Sequence, residues 1–173
     1  MHHPRQTAVP QGAIHVTSDP SEVLYTPLGS CISACMFDPA AGVGGMNHFL
    51  LPVPPGNDHR SNPAMFGIHA MPMLLDAMLR AGARPERIRT KLFGGARNIF
   101  GGRDIGMLNR EVAENFLEDN GLRLLGGLMG SDDSMSISFL AAAGKIEGRR
   151  YERPRHAARQ DQMARLAGFA CVR

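Results

Sequence analysis

Short apolar runs punctuated by turn residues dominate the first third of the chain, and stretches with helical spacing follow. Residues 1–12 are polar, carry Pro4 and Pro10, and read as a loose leader. Ala13–Val16 reads as a short strand. Val23–Leu28 is a stronger one, because Val, Leu, Tyr and Thr suit a pleated, half-buried surface. Cys31–Phe37 and Val43–Leu50 are two further apolar runs. Between them Asp38 can accept backbone hydrogen bonds, Pro39 fixes φ, and Gly42 tolerates positive φ. The pattern predicts a β-hairpin with a five-residue loop over 38–42.

Pro52–Pro63 is a twelve-residue polar loop, a length at which loops are commonly functional or disordered. Ala64–Ala81 then has helical periodicity, with Ile68, Met71, Leu75, Met78 and Leu79 on one stripe. Pro72 should kink this helix or begin its regular part, and Gly82 should end it. Ile88–Phe93 reads as a strand. Gly94-Gly95 and Gly101-Gly102 bracket a flexible loop. Asn109–Asn120 reads as a second helix with Asn109 as N-cap, Glu111 in the first turn, Val112, Phe116 and Leu117 inward, and Gly121 as stop. Leu122–Leu125 and Met135–Leu140 are further strands, and Ala157–Leu166 a terminal helix. Many strands with two helices imply one layered domain of the α/β or α+β class, here 13–148, followed by a tail over 149–173.

Composition narrows the function classes. Of 173 residues, 43% are hydrophobic and 20% charged, as in ordinary globular proteins. The net charge is +3, but from Gly148 onward seven Arg face only Glu152 and Asp161, a net +5, so the rest carries −2. That near-neutral body does not suit nucleic acid, and only the tail is basic. Three cysteines make no disulfide framework, and no apolar run approaches the roughly 20 residues that span a bilayer. The expectation is a soluble cytoplasmic protein, where a cysteine is free to act as a thiolate.

The hairpin brings candidate chemistry together. A turn centred near Ala40 sets Cys31 opposite His48 or Phe49. In the first register the thiol and imidazole share a face of the sheet. In the second they point apart unless a bulge intervenes, for which Gly44-Gly45 is a natural place. A neighbouring imidazolium lowers a thiol's pKa, and the imidazole can then protonate a leaving amine. Gly29 and Ser30, just before Cys31, can offer backbone N–H groups to a developing oxyanion. The alternatives are that Cys31 is an inert core residue, as Cys35 is expected to be, or that Cys31, Cys35 and His48 hold zinc, for which no fourth ligand is evident. None of the other six histidines stands out by spacing.

At these residues the sequence resembles the chemoreceptor glutamine deamidases of the CheD family. The likeness lies in Thr26-Pro27-Leu28-Gly29-Ser30-Cys31-Ile32, in Asp38-Pro39, and in Gly44 through Pro52. It continues in Gly67 through Leu75, in Lys91 through Ala96, and in Ile105-Gly106 with Asn109. The resemblance implies a three-layer α/β/β sandwich, a papain-like pair of Cys31 and His48 assisted by Thr26, and no cofactor or metal. It implies conversion of receptor glutamine to glutamate with release of ammonia, hydrolysis of glutamyl methyl esters at the same site, and a CheC-type phosphatase as a further partner. A catalytically weak docking module is the alternative within the family. The chain departs from the family pattern over 128–135, where Leu128 stands for an acidic residue and Met135 for an Arg.

Overall fold

The computed structural model describes residues 5–56 and 60–151. Three layers are built from eleven strands and two long helices among these residues. One sheet has the order β1 (Arg5–Ala8), β3 (Glu22–Leu28), β10 (Ser134–Leu140), β11 (Lys145–Tyr151). The second has the order β2 (Ala13–Thr17), β5 (Val43–His48), β4 (Ile32–Asp38), β6 (Arg89–Gly94), β9 (Arg123–Met129). Helices α1 (Gly67–Arg80) and α2 (Ile105–Asp119) pack on the outer face of the second sheet. Both faces of β4 are therefore covered, and all seven of its residues are buried. Ile32, Ala34 and Met36 point to the helices; Cys31, Cys35 and Phe37 point to the other sheet. This is the α/β/β sandwich expected above.

The hairpin forms, with a different register. Cys35 pairs with Met46 and Asp38 with Val43, and an isolated bridge joins Ile32 to Phe49. That is two residues beyond the register that would set Cys31 directly against His48. The cause is the loop, which is four residues long because Asp38 closes the ladder itself. No bulge occurs at Gly44-Gly45. A Cβ on Gly44 would lie 2.1 Å from the Ala141 carbonyl oxygen, so the bare backbone there lets the residue 141–143 turn press onto the sheet. The register shift falls instead between Thr90 and Leu92, where β6 meets β9.

Other expectations change for equally local reasons. The stretch read as a leader contains β1, which pairs in parallel with β3, and Val9, which is 1% exposed. The first helix begins at Gly67 after a short 3-10 turn over Pro63–Met65. Its buried face is Gly67, Ala70, Met71, Leu74 and Met78, whereas Ile68 and Leu79 are exposed. The face is rotated because small Gly67 sits closest to Phe49 and Val112, where a larger side chain would clash. Pro72 lies inside this helix on its exposed side, and the helix ends at Ala81-Gly82 as expected. The loop between the two Gly-Gly pairs contains a small hairpin, β7 (Ile99–Phe100) with β8 (Arg103–Asp104). The second helix starts four residues early: Asp104 is the N-cap, accepting from the Gly106 and Met107 amides, and Asn109 is fully buried within the helix. β11 runs to Tyr151, past the expected boundary at 148, and the helix expected over 157–166 lies outside the described residues.

Two buried carboxylates tie the layers. Asp38 accepts from the Ala40, Ala41 and Arg84 amides and from the Arg87 guanidinium, at 2.8–3.2 Å. The Arg87 bond, against the cost of burial, holds its carboxyl at about 2. Burial pushes Glu22 up, but bonds from Thr17, Thr7 and His15 outweigh it and hold it at about 2 as well. Both carboxylates are depressed below their ordinary values, so their stabilisation is complete above that range and is lost as pH falls toward 2. We expect the melting temperature to fall across that window in a pH series. Asp38→Asn should destabilise by about 2 kcal/mol at neutral pH and flatten the acid dependence, as read by chemical denaturation.

Candidate active site

The inter-sheet layer converges at one end on the segment between β3 and β4. Gly29, Ser30 and Cys31 cross there from one sheet to the other, and their carbonyls are all held. Gly29 C=O accepts from the Ala96 amide at 2.9 Å, Ser30 C=O from Asn109 Nδ2 at 2.9 Å, and Cys31 C=O from the Gly95 amide at 2.8 Å. Gly94 makes this possible: its φ is +102°, and a Cβ there would lie 2.1 Å from the Cys31 carbonyl oxygen. In a trans peptide the N–H points opposite to the preceding C=O. The Ser30 and Cys31 amides are therefore turned away from the Ala96 and Asn109 anchors. Asn98 Nδ2 donates to Ser30 Oγ at 3.2 Å and ties the β7–β8 hairpin to the same segment.

Cys31 is 5% exposed and belongs to the inter-sheet cluster with Cys35, Leu28 and Met46. His48, 3% exposed, points into that layer too, toward Thr26 of the opposite sheet. Thiol and imidazole thus share one face of the β4–β5 hairpin on a diagonal rather than as directly opposed residues. Neither Cys31 nor Cys35 is in a disulfide. Burial pushes the Cys35 thiol up to about 12, so it stays protonated and inert. It lies four residues along the strand from Cys31, about 13 Å at strand rise, too far for both to reach one metal ion. No group of three or more metal-ligating side chains occurs among the described residues.

The hydrogen bonds around His48 define its tautomer. Thr26 Oγ1 donates to the Val9 carbonyl at 2.7 Å, so toward His48 Nδ1, at 2.8 Å, it can only accept. Nδ1 is also 3.2 Å from that carbonyl, which can only accept. Both contacts require the proton on Nδ1. Nε2 then carries the lone pair, and it is buried with no hydrogen-bond partner among the described residues. Burial pushes the imidazole below its ordinary value, partly opposed by the Val9 bond, so the ring is neutral at pH 7.

Three contributors escape a reading of the sequence. Val9 lies in the stretch taken for a leader. Asn109, taken for a helix cap, donates through Nδ2 to both Ser30 C=O and Leu50 C=O at 2.9 Å, fastening the two ends of the hairpin to each other. Gln11 Nε2 donates to Cys31 Sγ at 3.3 Å. Only Asn109 had a visible signal, as one of the residues that carry the family likeness, although its buried role was read as a helix cap.

Comparison with known proteins shows the family of the chain. A family model described as CheD chemotactic sensory transduction matches residues 50–150, a segment that includes Asn109 but begins after His48. A protein of Caulobacter vibrioides named "Probable chemoreceptor glutamine deamidase CheD" is 44% identical over 142 residues, covering 82% of this chain and 75% of its own. Proteins with the same name from Rhizobium meliloti and Zymomonas mobilis are 43% and 41% identical, covering 82% and 92% of this chain and 78% and 88% of theirs. Among solved structures, a Neisseria meningitidis protein superposes with a TM-score of 0.46 at 11% identity over 69% of this chain and 53% of its own, too loosely to carry an argument. With a family model over more than half the chain and relatives above 40% identity over most of it, the chain belongs to the CheD family.

Proposed function

We propose that this protein deamidates glutamine side chains of chemoreceptors, with Cys31 as nucleophile, His48 as general base and acid, and Thr26 as the residue that orients His48. The observation that carries the reading is the fixed Nδ1–H tautomer, with the lone pair on Nε2 in the layer that also holds Cys31. The neutral imidazole takes the thiol proton as sulfur attacks the substrate carboxamide carbon. The carbonyl π pair moves onto oxygen, toward the Ser30 and Cys31 amides. Collapse expels the amine, which receives the proton from Nε2 and leaves as ammonia. Water then attacks the thioester with Nε2 again as base, releasing glutamate and the Cys31 thiol. A glutamyl methyl ester enters the same acyl-enzyme and loses methanol instead. No step calls on a cofactor.

A protein substrate suits the surroundings. Ile99, Phe100 and Met107 are 57%, 47% and 53% exposed, next to the Asn98 side chain that holds Ser30. Such an apolar lip beside the nucleophile fits a docking helix better than a small molecule. A CheC-type phosphatase as second partner is part of this proposal on the strength of the resemblance alone. No helix among the described residues is long and apolar enough to cross a membrane. We assign the protein to the cytoplasm, where its thiols stay reduced.

Cys31→Ala should fold with an unchanged melting temperature and release no ammonia from a receptor cytoplasmic fragment; persisting release would remove Cys31 as nucleophile. His48→Ala should lose about 10²–10⁴-fold in kcat. Because His48 is held below its ordinary value, the acid limb of kcat/KM should fall below pH 6.5; a limb above that value would contradict a neutral base. Asn109→Leu leaves the Ser30 and Leu50 carbonyls without this donor. It should cost about 1–3 kcal/mol in stability and lower kcat more than it raises KM, as steady-state kinetics on the folded variant would show.

A further inference from the structure

The side chain of Gln11 touches the proposed nucleophile, and its backbone is held in place to do so. Gln11 lies in the turn between β1 and β2. The turn is closed by the Ala13 amide on the Pro10 carbonyl at 3.0 Å. Gly12, with φ +76°, takes the left-handed position that a type II turn requires at its third residue. The turn is clamped from both sides. The Gly12 amide donates to the His48 carbonyl at 2.7 Å, and Asn62 Nδ2 donates to the Gly12 carbonyl at 2.8 Å. On the strand side, Val9 is buried, and its carbonyl is the group that accepts from Thr26 Oγ1. One short segment, residues 9–12, thus holds the His48 ring through Val9, the His48 backbone through Gly12, and the Cys31 sulfur through Gln11.

Resting on the proposed deamidase reading, we propose that Gln11 is a catalytic residue whose Nε2–H donates to the oxyanion of the tetrahedral intermediate. When sulfur bonds to the carboxamide carbon, the oxygen that receives the π pair is bonded to that same carbon. It therefore lies within contact distance of Sγ. A donor already 3.3 Å from Sγ reaches that oxygen by a small side-chain rotation. A carboxamide N–H is neutral, so it stabilises the anion without protonating it, and the charge returns to the carbonyl on collapse. Together with the Ser30 and Cys31 amides it supplies a donor from the β1–β2 turn, on a different segment from the nucleophile. The clamped turn provides the preorganisation that such a donor needs. In the resting enzyme the same N–H rests on sulfur.

The test compares Gln11→Ala and Gln11→Glu with the unchanged protein. Gln11→Glu has nearly the same shape without the donor. On a receptor cytoplasmic fragment both should lower kcat about 10²-fold with KM nearly unchanged. Their melting temperature should stay as before, because Gln11 is exposed and builds no core. The burst with a p-nitrophenyl ester, which needs no receptor, should slow in parallel. Receptor deamidation that is unaffected or faster in Gln11→Ala would overturn the proposal and make the side chain a shield over the thiol. So would deamidation of Gln11 itself in the unchanged protein but not in Cys31→Ala, since that would make it an internal substrate. If the ester burst depends on Gln11 while the receptor fragment is not deamidated at all, the oxyanion role stands and the receptor reading fails.

Discussion

A buried imidazole has to place its one N–H against an acceptor, and in this protein that single requirement organises the site. The acceptors for His48 Nδ1 are the Val9 carbonyl and Thr26 Oγ1, and neither belongs to the sheet that carries His48. Meeting the requirement goes with β1 lying alongside β3 in parallel and with the two sheets closing over the end of the hairpin that carries His48. Leaving such a group unpaired in the interior costs about 1–3 kcal/mol, so the pairing stabilises the fold as it selects the tautomer. The same burial holds the imidazole neutral, which is the state that can accept a thiol proton.

The segment that carries Cys31 is held by the opposite device. Carbonyls at residues 29–31 are drawn to Ala96, Asn109 and Gly95, and the peptide planes are thereby oriented before any substrate arrives. Those anchors come from the β6–α2 side, whereas Val9, Gln11 and Gly12 come from the β1–β2 side. The placement of Cys31 and His48 is therefore determined between two clamps rather than by the hairpin ladder alone. This explains how a register two residues from direct opposition still leaves thiol and imidazole on one face: strand side chains alternate with period two, so a shift by two preserves the face. A shift by one would have turned His48 toward the helices.

Much of the architecture was legible in the chain. Periodicity located β2 through β6, the first half of β9, β10 and both helices, and the Asp38-Pro39 turn located the hairpin. Errors arose where a local rule met a stronger tertiary demand. Asn109 has the residue type of an N-cap, but Asp104 takes that role and Asn109 goes inside, where two carbonyls needed a donor. Ile68 and Leu79 are as apolar as the residues that are buried, but the close approach of Phe49 and Val112 at Gly67 sets the rotation of the helix. Residues 5–12 carry too few apolar side chains to register as a strand, because β1 is exposed and is held by backbone pairing to β3.

The sequence by itself determined the layered class and the hairpin, and it narrowed the thiol and the imidazole to two registers, of which one put them on a shared face. These follow from short-range patterns: alternation, turn chemistry and spacing. Tertiary structure alone decided the tautomer of His48, the orientation of the peptides around Cys31, and the presence of Val9, Gln11 and Asn109 at the site. Those depend on hydrogen bonds between segments 17 to 79 residues apart. A backbone carbonyl carries no signature of its role in the residue that bears it, so Val9 reads as any apolar residue until the fold sets its oxygen against an imidazole.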